Sequence, residues 1–255
     1  MSEEQRLQQR RGQARASAVS TAVAELADRC QARLGRPAAV LDLGGGTGGV
    51  AVLLAERGHQ VTVVDPSPDA LAALDRRARE ASLSDHVTGV QGDETTLAGV
   101  LGGRTVDLVC CHGTLEFVDD PAATLAALAA VLEPGGALSV LVSGRLAVVF
   151  AKALAGQFSQ ARTALTDPDG RWGANDPLPR RFDLDRLQAM LVAAGFTIDH
   201  ARGINILGHL VPASLIDSDA DRVALSELDD LLVTGPGREF LRTLGSGLHV
   251  IATRV

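Results

Sequence analysis

The chain has 255 residues, of which 46% are hydrophobic and 22% are charged, and its formal net charge is −7. This length allows one large α/β domain or two small ones, with enough apolar residues for a buried core. The acidic balance disfavours a broad nucleic-acid surface, although it is compatible with a local basic patch. No apolar run reaches the ~18 residues that span a bilayer, and residues 1–11 are too polar for a signal peptide, so we expect a cytoplasmic protein.

Periodic apolar residues predict the elements in chain order. After a polar, basic start, a helix is predicted at 16–34, then four strand–helix repeats over 38–132, a strand at 137–142, a helix at 183–194, and strands at 196–201 and 247–253. This alternation predicts an α/β protein with a Rossmann-like, doubly wound, mostly parallel seven-stranded sheet. The last two strands form a hairpin-like pair. Residues 144–182 and 203–244 interrupt the repeat and are interpreted as lid or substrate insertions. The first is expected to hold a helical piece at 146–158, followed by an irregular, turn-rich connection at 166–179.

A glycine loop follows the first predicted strand and reads Asp42-Leu43-Gly44-Gly45-Gly46-Thr47-Gly48. Glycines allow a sharp turn and close backbone approach to a ligand, and the next helix directs its amide groups at the loop. The spacing also fits the dinucleotide fingerprint. We interpret Asp42 as favouring S-adenosylmethionine, because a carboxylate below the loop suits a cationic amino group better than a pyrophosphate. Gly44, Gly46 and Gly48 are thus predicted cofactor residues.

Two further acidic positions lie at the ends of the next strands. Asp65, followed by Pro66, is placed to accept hydrogen bonds from both ribose hydroxyls, and it is also placed to cap the following helix. Asp93 and Glu94 follow the third strand, where Asp93 is placed either to bind the adenine amino group or to close a turn. Removing the Asp65 carboxylate is expected to weaken cofactor binding at least tenfold.

The fourth strand ends at His112, which is the best-placed candidate general base and is also a candidate cofactor contact, the role that we favour. Glu116, His209 and His249 are weaker candidates for a base. Cys110 and Cys111 are expected to be inert buried thiols, like Cys30, and no cysteine or histidine spacing indicates a metal site.

At this point the chain resembles the class I S-adenosylmethionine-dependent methyltransferases. The resemblance rests on the glycine loop, the acids after strands two and three, and the turn Pro134-Gly135-Gly136, in that order. It implies the class I methyltransferase fold with an antiparallel last strand, one methyltransferase domain over 1–255 with an N-terminal helical segment at 1–36, and S-adenosyl-L-methionine as cofactor with S-adenosyl-L-homocysteine as product.

Several strings are similar to one subfamily, the tRNA 5-carboxymethoxyuridine methyltransferases. They are Gly12-Gln13-Ala14-Arg15, residues 55–61, His112 with Leu115-Glu116 and Asp120-Pro121, residues 243–245, and His249-Val250. In that subfamily the arginine of the first string lies near the cofactor carboxylate, which would make Arg15 a cofactor clamp. Its alternative is a solvated helix arginine.

The resemblance fails where the acceptor should bind. The subfamily strings Leu-Gly-Arg-Tyr and Gly-Val-Arg-Val here read Leu244-Gly245-Ser246-Gly247 and Gly203-Ile204-Asn205-Ile206, and a Tyr-Asn pair after strand five reads Ser143-Gly144. A lysine-rich run is also replaced, and the second insertion is acidic, with Asp217, Asp219, Asp221, Glu227, Asp229 and Asp230. Arg145, Arg180 and Arg181 flank the first insertion, either as anion ligands or as solvated arginines.

We therefore expect a methyltransferase that acts on a small-molecule acceptor, by O-methylation of a carboxylate or a hydroxyl. An ionised carboxylate needs no general base, whereas a hydroxyl does. The alternatives are a tRNA wobble-uridine carboxyl methyltransferase, a non-catalytic cofactor-binding module and, last, a nicotinamide-dependent oxidoreductase. No membrane partner is expected, and the sequence does not indicate an oligomeric state.

Overall fold

The computed structural model describes residues 3–212, 215–216, 218–236 and 238–255, without the side chains of residues 3–17, 219 and 233. The chain divides into two compact units. The sheet unit comprises Ser20–Leu141, Gln188–His200 and Val250–Val255. The insertion unit comprises Met1–Val19, Val142–Leu187 and Ala201–His249. No helix among the described residues is long and apolar enough to cross a membrane.

Helices and strands alternate through the first half of the chain. The order is α1 (Glu3–Leu34), β1 (Ala39–Leu43), α2 (Gly49–Ala55), β2 (Gln60–Asp65), α3 (Pro68–Glu80), β3 (Val87–Gln91), α4 (Leu97–Val100), β4 (Val106–His112), α5 (Pro121–Val131) and β5 (Leu132–Ser143). The second half has α6 (Arg145–Leu154), α7 (Phe158–Thr166), α8 (Leu184–Ala193), β6 (Phe196–Ile204), α9 (Asp219–Thr234), α10 (Arg238–Leu241) and β7 (Gly247–Arg254).

The seven strands form one sheet in the order β3-β2-β1-β4-β5-β7-β6. The pairs β3–β2, β2–β1, β1–β4 and β4–β5 are parallel, and the last strand is antiparallel. The chain order reverses between β1 and β4, since β1 pairs with β2 on one side and with β4 on the other. Ligands of open α/β sheets bind at the carboxyl ends of the strands beside such a reversal. The predicted doubly wound sheet is therefore confirmed.

The central strands are apolar because helices cover both faces of a parallel sheet. In β4, every residue from Val106 to Cys111 is buried. Asp107 is the one charged residue in this buried run of β4. It is 3% exposed and accepts hydrogen bonds from the Arg36 guanidinium and from the amide of Ala39. This paired carboxylate fixes the start of β1 against β4.

The insertion unit is more ordered than the predicted irregular connection. The expected helical piece at 146–158 is wrong in its length, because α6 ends at Leu154 and Gly156 adopts φ +72° before α7 begins. The Lys152 ammonium lies 3.8 Å from the centre of the Trp172 ring, which ties α6 to the following loop. The strands also extend further than predicted, since β5 begins at Leu132 and β6 continues to Ile204.

Candidate functional site

The glycine loop leaves β1 and enters α2 through three left-handed residues. Gly44, Gly46 and Gly48 have φ of +71°, +56° and +77°. Two of the three are also crowded: a Cβ on Gly48 would overlap Leu74 Cδ1, and one on Gly44 would overlap Thr114 Oγ1. The Gly44 amide donates to the Val64 carbonyl over 2.7 Å, which holds the loop against β2. Glycine is thus required both by backbone conformation and by close packing.

Asp65 ends β2 and fastens the same loop. Its Oδ2 accepts from the Gly46 amide and its Oδ1 from the Ser67 amide, each over 2.9 Å, and the residue is 8% exposed. The helix cap itself is Ser67, whose hydroxyl accepts from the Ala70 amide. Asp65 therefore does not cap α3 directly. Its carboxylate oxygens keep further acceptor capacity, since an ionised carboxylate can accept about four hydrogen bonds.

Asp42 lies buried beneath the loop. It is 2% exposed, and its Oδ2 has no hydrogen-bond partner within the described structure. A Cβ on Gly45 would overlap this oxygen, so the carboxylate lies directly against the loop backbone. Burial, followed by the charge of Asp65, raises the pKa of Asp42 to about 7. Asp42 is therefore an acid that a nearby cation would drive into its ionised form.

A cavity of about 400 Å³ opens at the carboxyl ends of the strands in the sheet unit. Its lining includes four carboxylates and no basic residue, and it consists of Leu43, Gly44, Asp65, Pro66, Asp93, Glu94, Gly113, Thr114, Phe117, Val118 and Asp119. The sequence had indicated Gly44, Asp65, Pro66, Asp93 and Glu94, and the structure brings these five together. An acid-lined cavity of this size favours a cationic ligand over an anionic one.

Asp93 both closes a turn and lines the cavity. Its Oδ1 accepts from the Thr95 hydroxyl over 2.6 Å and from the Thr95 amide over 3.0 Å. These hydrogen bonds lower the pKa of Asp93, so the carboxylate stays ionised at neutral pH. The two readings of the sequence at this residue are therefore compatible in the structure.

His112 ends β4 and is partly exposed, but it is not among the residues that line the cavity. Its Nε2 lies 2.9 Å from the hydroxyl of Ser139, a fully buried residue of β5. The neighbours Gly113 and Thr114 do line the cavity. The loop between β4 and α5 contributes five lining residues that the sequence did not indicate: Gly113, Thr114, Phe117, Val118 and Asp119.

None of the remaining candidates whose side chains are described is among the residues that line the cavity. Arg15 belongs to α1, but its side chain lies outside the described residues. Gly46 and Gly48 shape the loop without lining the cavity. His249 is fully buried, and His209 Nδ1 lies 2.8 Å from the Asn205 carbonyl. Cys30, Cys110 and Cys111 are buried free thiols, and burial raises the pKa of each.

The arginines that flank the first insertion are engaged in structural contacts. Arg145 donates to the carbonyls of Asp167 and Pro168 over 2.9 Å each. Arg181 binds both carboxylate oxygens of Asp176, over 2.6 and 2.8 Å, with both side chains buried. The alternative that Arg145 and Arg181 are solvated is therefore wrong. Their guanidinium groups donate hydrogen bonds to residues of the loop 165–182.

Comparisons with known proteins agree with this geometry. A family model described as a methyltransferase domain matches residues 12–201. The chain is 30% identical over 228 residues to the tRNA 5-carboxymethoxyuridine methyltransferase of Escherichia coli K12, covering 89% of this chain and 84% of that protein. It is 35% identical over 130 residues to a ubiquinone biosynthesis O-methyltransferase of Xanthomonas campestris, covering 51% and 53%.

This chain belongs to the class I S-adenosylmethionine-dependent methyltransferase family. The methyl donor of the family, S-adenosyl-L-methionine, is therefore its cofactor. Among solved structures, the magnesium protoporphyrin IX methyltransferase of Synechocystis PCC 6803 with bound SAH matches with a TM-score of 0.59. That match is 16% identical and covers 95% of this chain and 84% of the other, so it supports the methyltransferase fold alone.

Proposed function

We propose that this methyltransferase binds S-adenosylmethionine in the acid-lined cavity and transfers its methyl group to a small-molecule acceptor, by O-methylation of a carboxylate or a hydroxyl. The observation that carries the cofactor assignment is the convergence of the left-handed glycine loop, the buried Asp42 and four cavity carboxylates at one edge of the sheet. This arrangement fits a ligand that presents a cationic amino group and a nucleoside.

Each part of the cavity has a chemical task toward the cofactor. Asp65 would accept from the ribose hydroxyls while it holds the Gly46 amide, and Asp93 with Glu94 would face the adenine. The Asp42 carboxylate, beneath the glycine loop, would balance the positive charge of the cofactor's amino group. Arg15 would bind the carboxylate of the cofactor's methionine part, a role that we propose from the sequence.

The cofactor supplies a methyl group already activated on a sulfonium, so the chain has to position the acceptor and exclude water. A carboxylate acceptor is ionised at neutral pH and requires no base. For a hydroxyl acceptor, His112 is the proposed general base, with the Ser139 hydroxyl 2.9 Å from its Nε2 holding the ring in place. The alternative role of His112 is a cofactor contact.

The choice of a small acceptor is supported by the insertion unit, which we propose forms the substrate-binding segments at 144–182 and 203–244. Asn205 and Ser246 stand where the tRNA-modifying subfamily carries arginines, and here they bind each other. On α9, Asp221, Glu227 and Asp230 are exposed, which would repel a phosphate backbone. Asp217 and the side chain of Asp219 lie outside the described residues.

The second candidate function is carboxyl methylation of a tRNA wobble uridine. It is favoured by the 30% identity to a tRNA 5-carboxymethoxyuridine methyltransferase over 89% of this chain. A basic surface in the insertion unit would support it, whereas the exposed acids of α9 do not. A non-catalytic cofactor-binding module is the third candidate, and retention of Asp42, Asp65 and Asp93 argues against it.

Two measurements test the proposal in sequence. Calorimetry should show that the full chain binds S-adenosylhomocysteine and prefers it to NADH, since the acidic lining disfavours a pyrophosphate. Methyl-labelled S-adenosylmethionine with a metabolite extract of the source organism should then give a labelled small molecule. Preference for NADH would overturn the cofactor assignment, and binding without any transfer to extract or tRNA would establish a binding module.

A further inference from the structure

Thr114 lies where two walls of the cavity meet. Its hydroxyl donates to the carbonyl of Leu43 over 2.9 Å, and Leu43 is the last residue of β1, directly before the glycine loop. The contact is close enough that a Cβ on Gly44 would overlap Thr114 Oγ1. The side chain of Thr114 thus fastens the loop after β4 to the start of the glycine loop.

The backbone of Thr114 organises the second wall. Its carbonyl accepts from the Phe117 amide over 2.9 Å, closing the turn that carries Phe117 and Val118 into the cavity lining. Leu115 and Glu116, which lie between Thr114 and Phe117, are 0% and 2% exposed, and they anchor the turn in the core. The preceding Gly113 donates its amide to the Leu141 carbonyl over 2.8 Å, so the turn is also attached to β5.

The glycine loop is held on its other side by different contacts. Its Gly44 amide donates to Val64 and its Gly46 amide to Asp65, both of which belong to β2. The Thr114 hydroxyl therefore adds a side-chain hydrogen bond between the loop and the β4 side of the cavity, beyond the pairing of β1 with β4. Without it, the Leu43 carbonyl loses this donor, and the glycine loop and the turn 114–118 lose a side-chain contact that lies beyond the pairing of β1 with β4.

We propose that Thr114 is a positioning residue, whose hydroxyl sets the spacing between the glycine loop and the turn 114–118 and thereby the affinity for the cofactor. The inference rests on the proposed cofactor site and adds to it a residue that the glycine and acid pattern does not indicate. It acts through Leu43 and Gly44 and requires no contact of its own with the reacting methyl group.

The experiment compares three variants by calorimetry with S-adenosylhomocysteine. Thr114→Val removes the hydroxyl at nearly constant shape and should raise the dissociation constant at least fivefold, whereas Thr114→Ser keeps the hydroxyl and should stay within twofold of wild type. Thr124→Val is the matched control, because the fully buried Thr124 hydroxyl also donates to a carbonyl, that of Asp120 over 3.0 Å, away from the cavity lining.

Hydrogen exchange on the unliganded variants provides a second readout that needs no ligand. Faster exchange of both segments 43–48 and 113–119 in Thr114→Val, and of neither in Thr124→Val, supports the inference. Equal affinities of wild type and Thr114→Val, or a Thr114→Ser variant as weak as Thr114→Val, would overturn it. If Thr114→Val does not fold, Thr114→Ala takes its place in both assays. A wild type that fails to bind S-adenosylhomocysteine would instead defeat the proposed function.

Discussion

Asn205 donates a hydrogen bond from its side-chain amide to the hydroxyl of Ser246 over 2.8 Å. The two residues lie 41 positions apart in sequence, and both differ from the arginines of the tRNA-modifying subfamily that the chain resembles. Asn205 also adopts a left-handed φ of +54°, which asparagine tolerates better than most residues. The two positions at which the chain differs from the subfamily are therefore in contact, and a neutral hydrogen-bonded pair replaces two arginines.

The conformation of Asn205 predicts an unusual order of stabilities. Asn205→Ala should lower the free energy of unfolding by about 1–2 kcal/mol, because it loses the hydrogen bond and strains the backbone. Asn205→Gly should cost less than Asn205→Ala, since glycine accepts a positive φ. Urea unfolding of the two variants and wild type measures this. A glycine variant less stable than the alanine variant would show that φ is not what selects asparagine.

Asp65 should be required for cofactor binding. Asp65→Ala should weaken binding of S-adenosylhomocysteine at least tenfold, which corresponds to ~1.4 kcal/mol, because it removes the ribose acceptor and releases the Gly46 amide. Ser67→Ala is the control, since it removes the cap of α3 and leaves the Asp65 carboxylate in place. Calorimetry should find the control within threefold of wild type. Unchanged affinity in Asp65→Ala would refute the ribose assignment.

Asp42 should make stability depend on pH. Its pKa is raised from 3.8 to about 7, by burial first and by Asp65 second, so the folded protein binds a proton that the unfolded chain releases. This contribution is fully present below the unfolded pKa and is lost as pH rises through about 7. Wild type should therefore lose stability relative to Asp42→Asn between pH 4 and 8.

Urea unfolding of wild type and Asp42→Asn across this range measures the effect. Asp185→Asn, at an exposed acid of α8, is the control and should differ from wild type by a constant amount. A constant difference for Asp42→Asn as well would contradict the assignment of the buried proton.

The buried ion pair of Arg181 and Asp176 should stabilise the insertion unit. Arg181→Met should cost about 3–5 kcal/mol, because it leaves the Asp176 carboxylate buried without its cation. Arg180→Met, which affects a more exposed pair with Asp169, should cost under about 1 kcal/mol. Thermal or urea unfolding distinguishes the two. Equal losses would mean that burial of the Arg181 pair does not decide its contribution.

The sequence predicts best where the local pattern and tertiary structure agree. The buried strands, the glycine loop and the acids after β2 and β3 are local patterns, and the structure gathers Gly44, Asp65 and Asp93 at one cavity. The sequence did not indicate Thr114 and Phe117 as cavity residues, because their positions depend on the pairing of β1 with β4. In that pairing, Leu43 is the partner of Cys111. No local spacing encodes that pairing.

The insertions were less predictable for a related reason. The donors of Arg145 and Arg181 satisfy carbonyls and a carboxylate between residues 165 and 176, contacts that depend on how the loop folds. An arginine beside an irregular segment looks the same in sequence whether it is solvated, buried or bound to a ligand. The partition of α6 from α7 likewise depends on the left-handed Gly156.

The most direct measurement of the central claim follows the methyl group. Purified protein with methyl-labelled S-adenosylmethionine would be offered bulk tRNA containing 5-carboxymethoxyuridine and, separately, a tRNA-free metabolite extract of its own source. We expect label in the small-molecule fraction. Mild alkali would then show whether the labelled product is a methyl ester, which releases methanol, or a methyl ether, which does not. Label in tRNA with none in the metabolite fraction would contradict a small-molecule acceptor and make tRNA methylation the function.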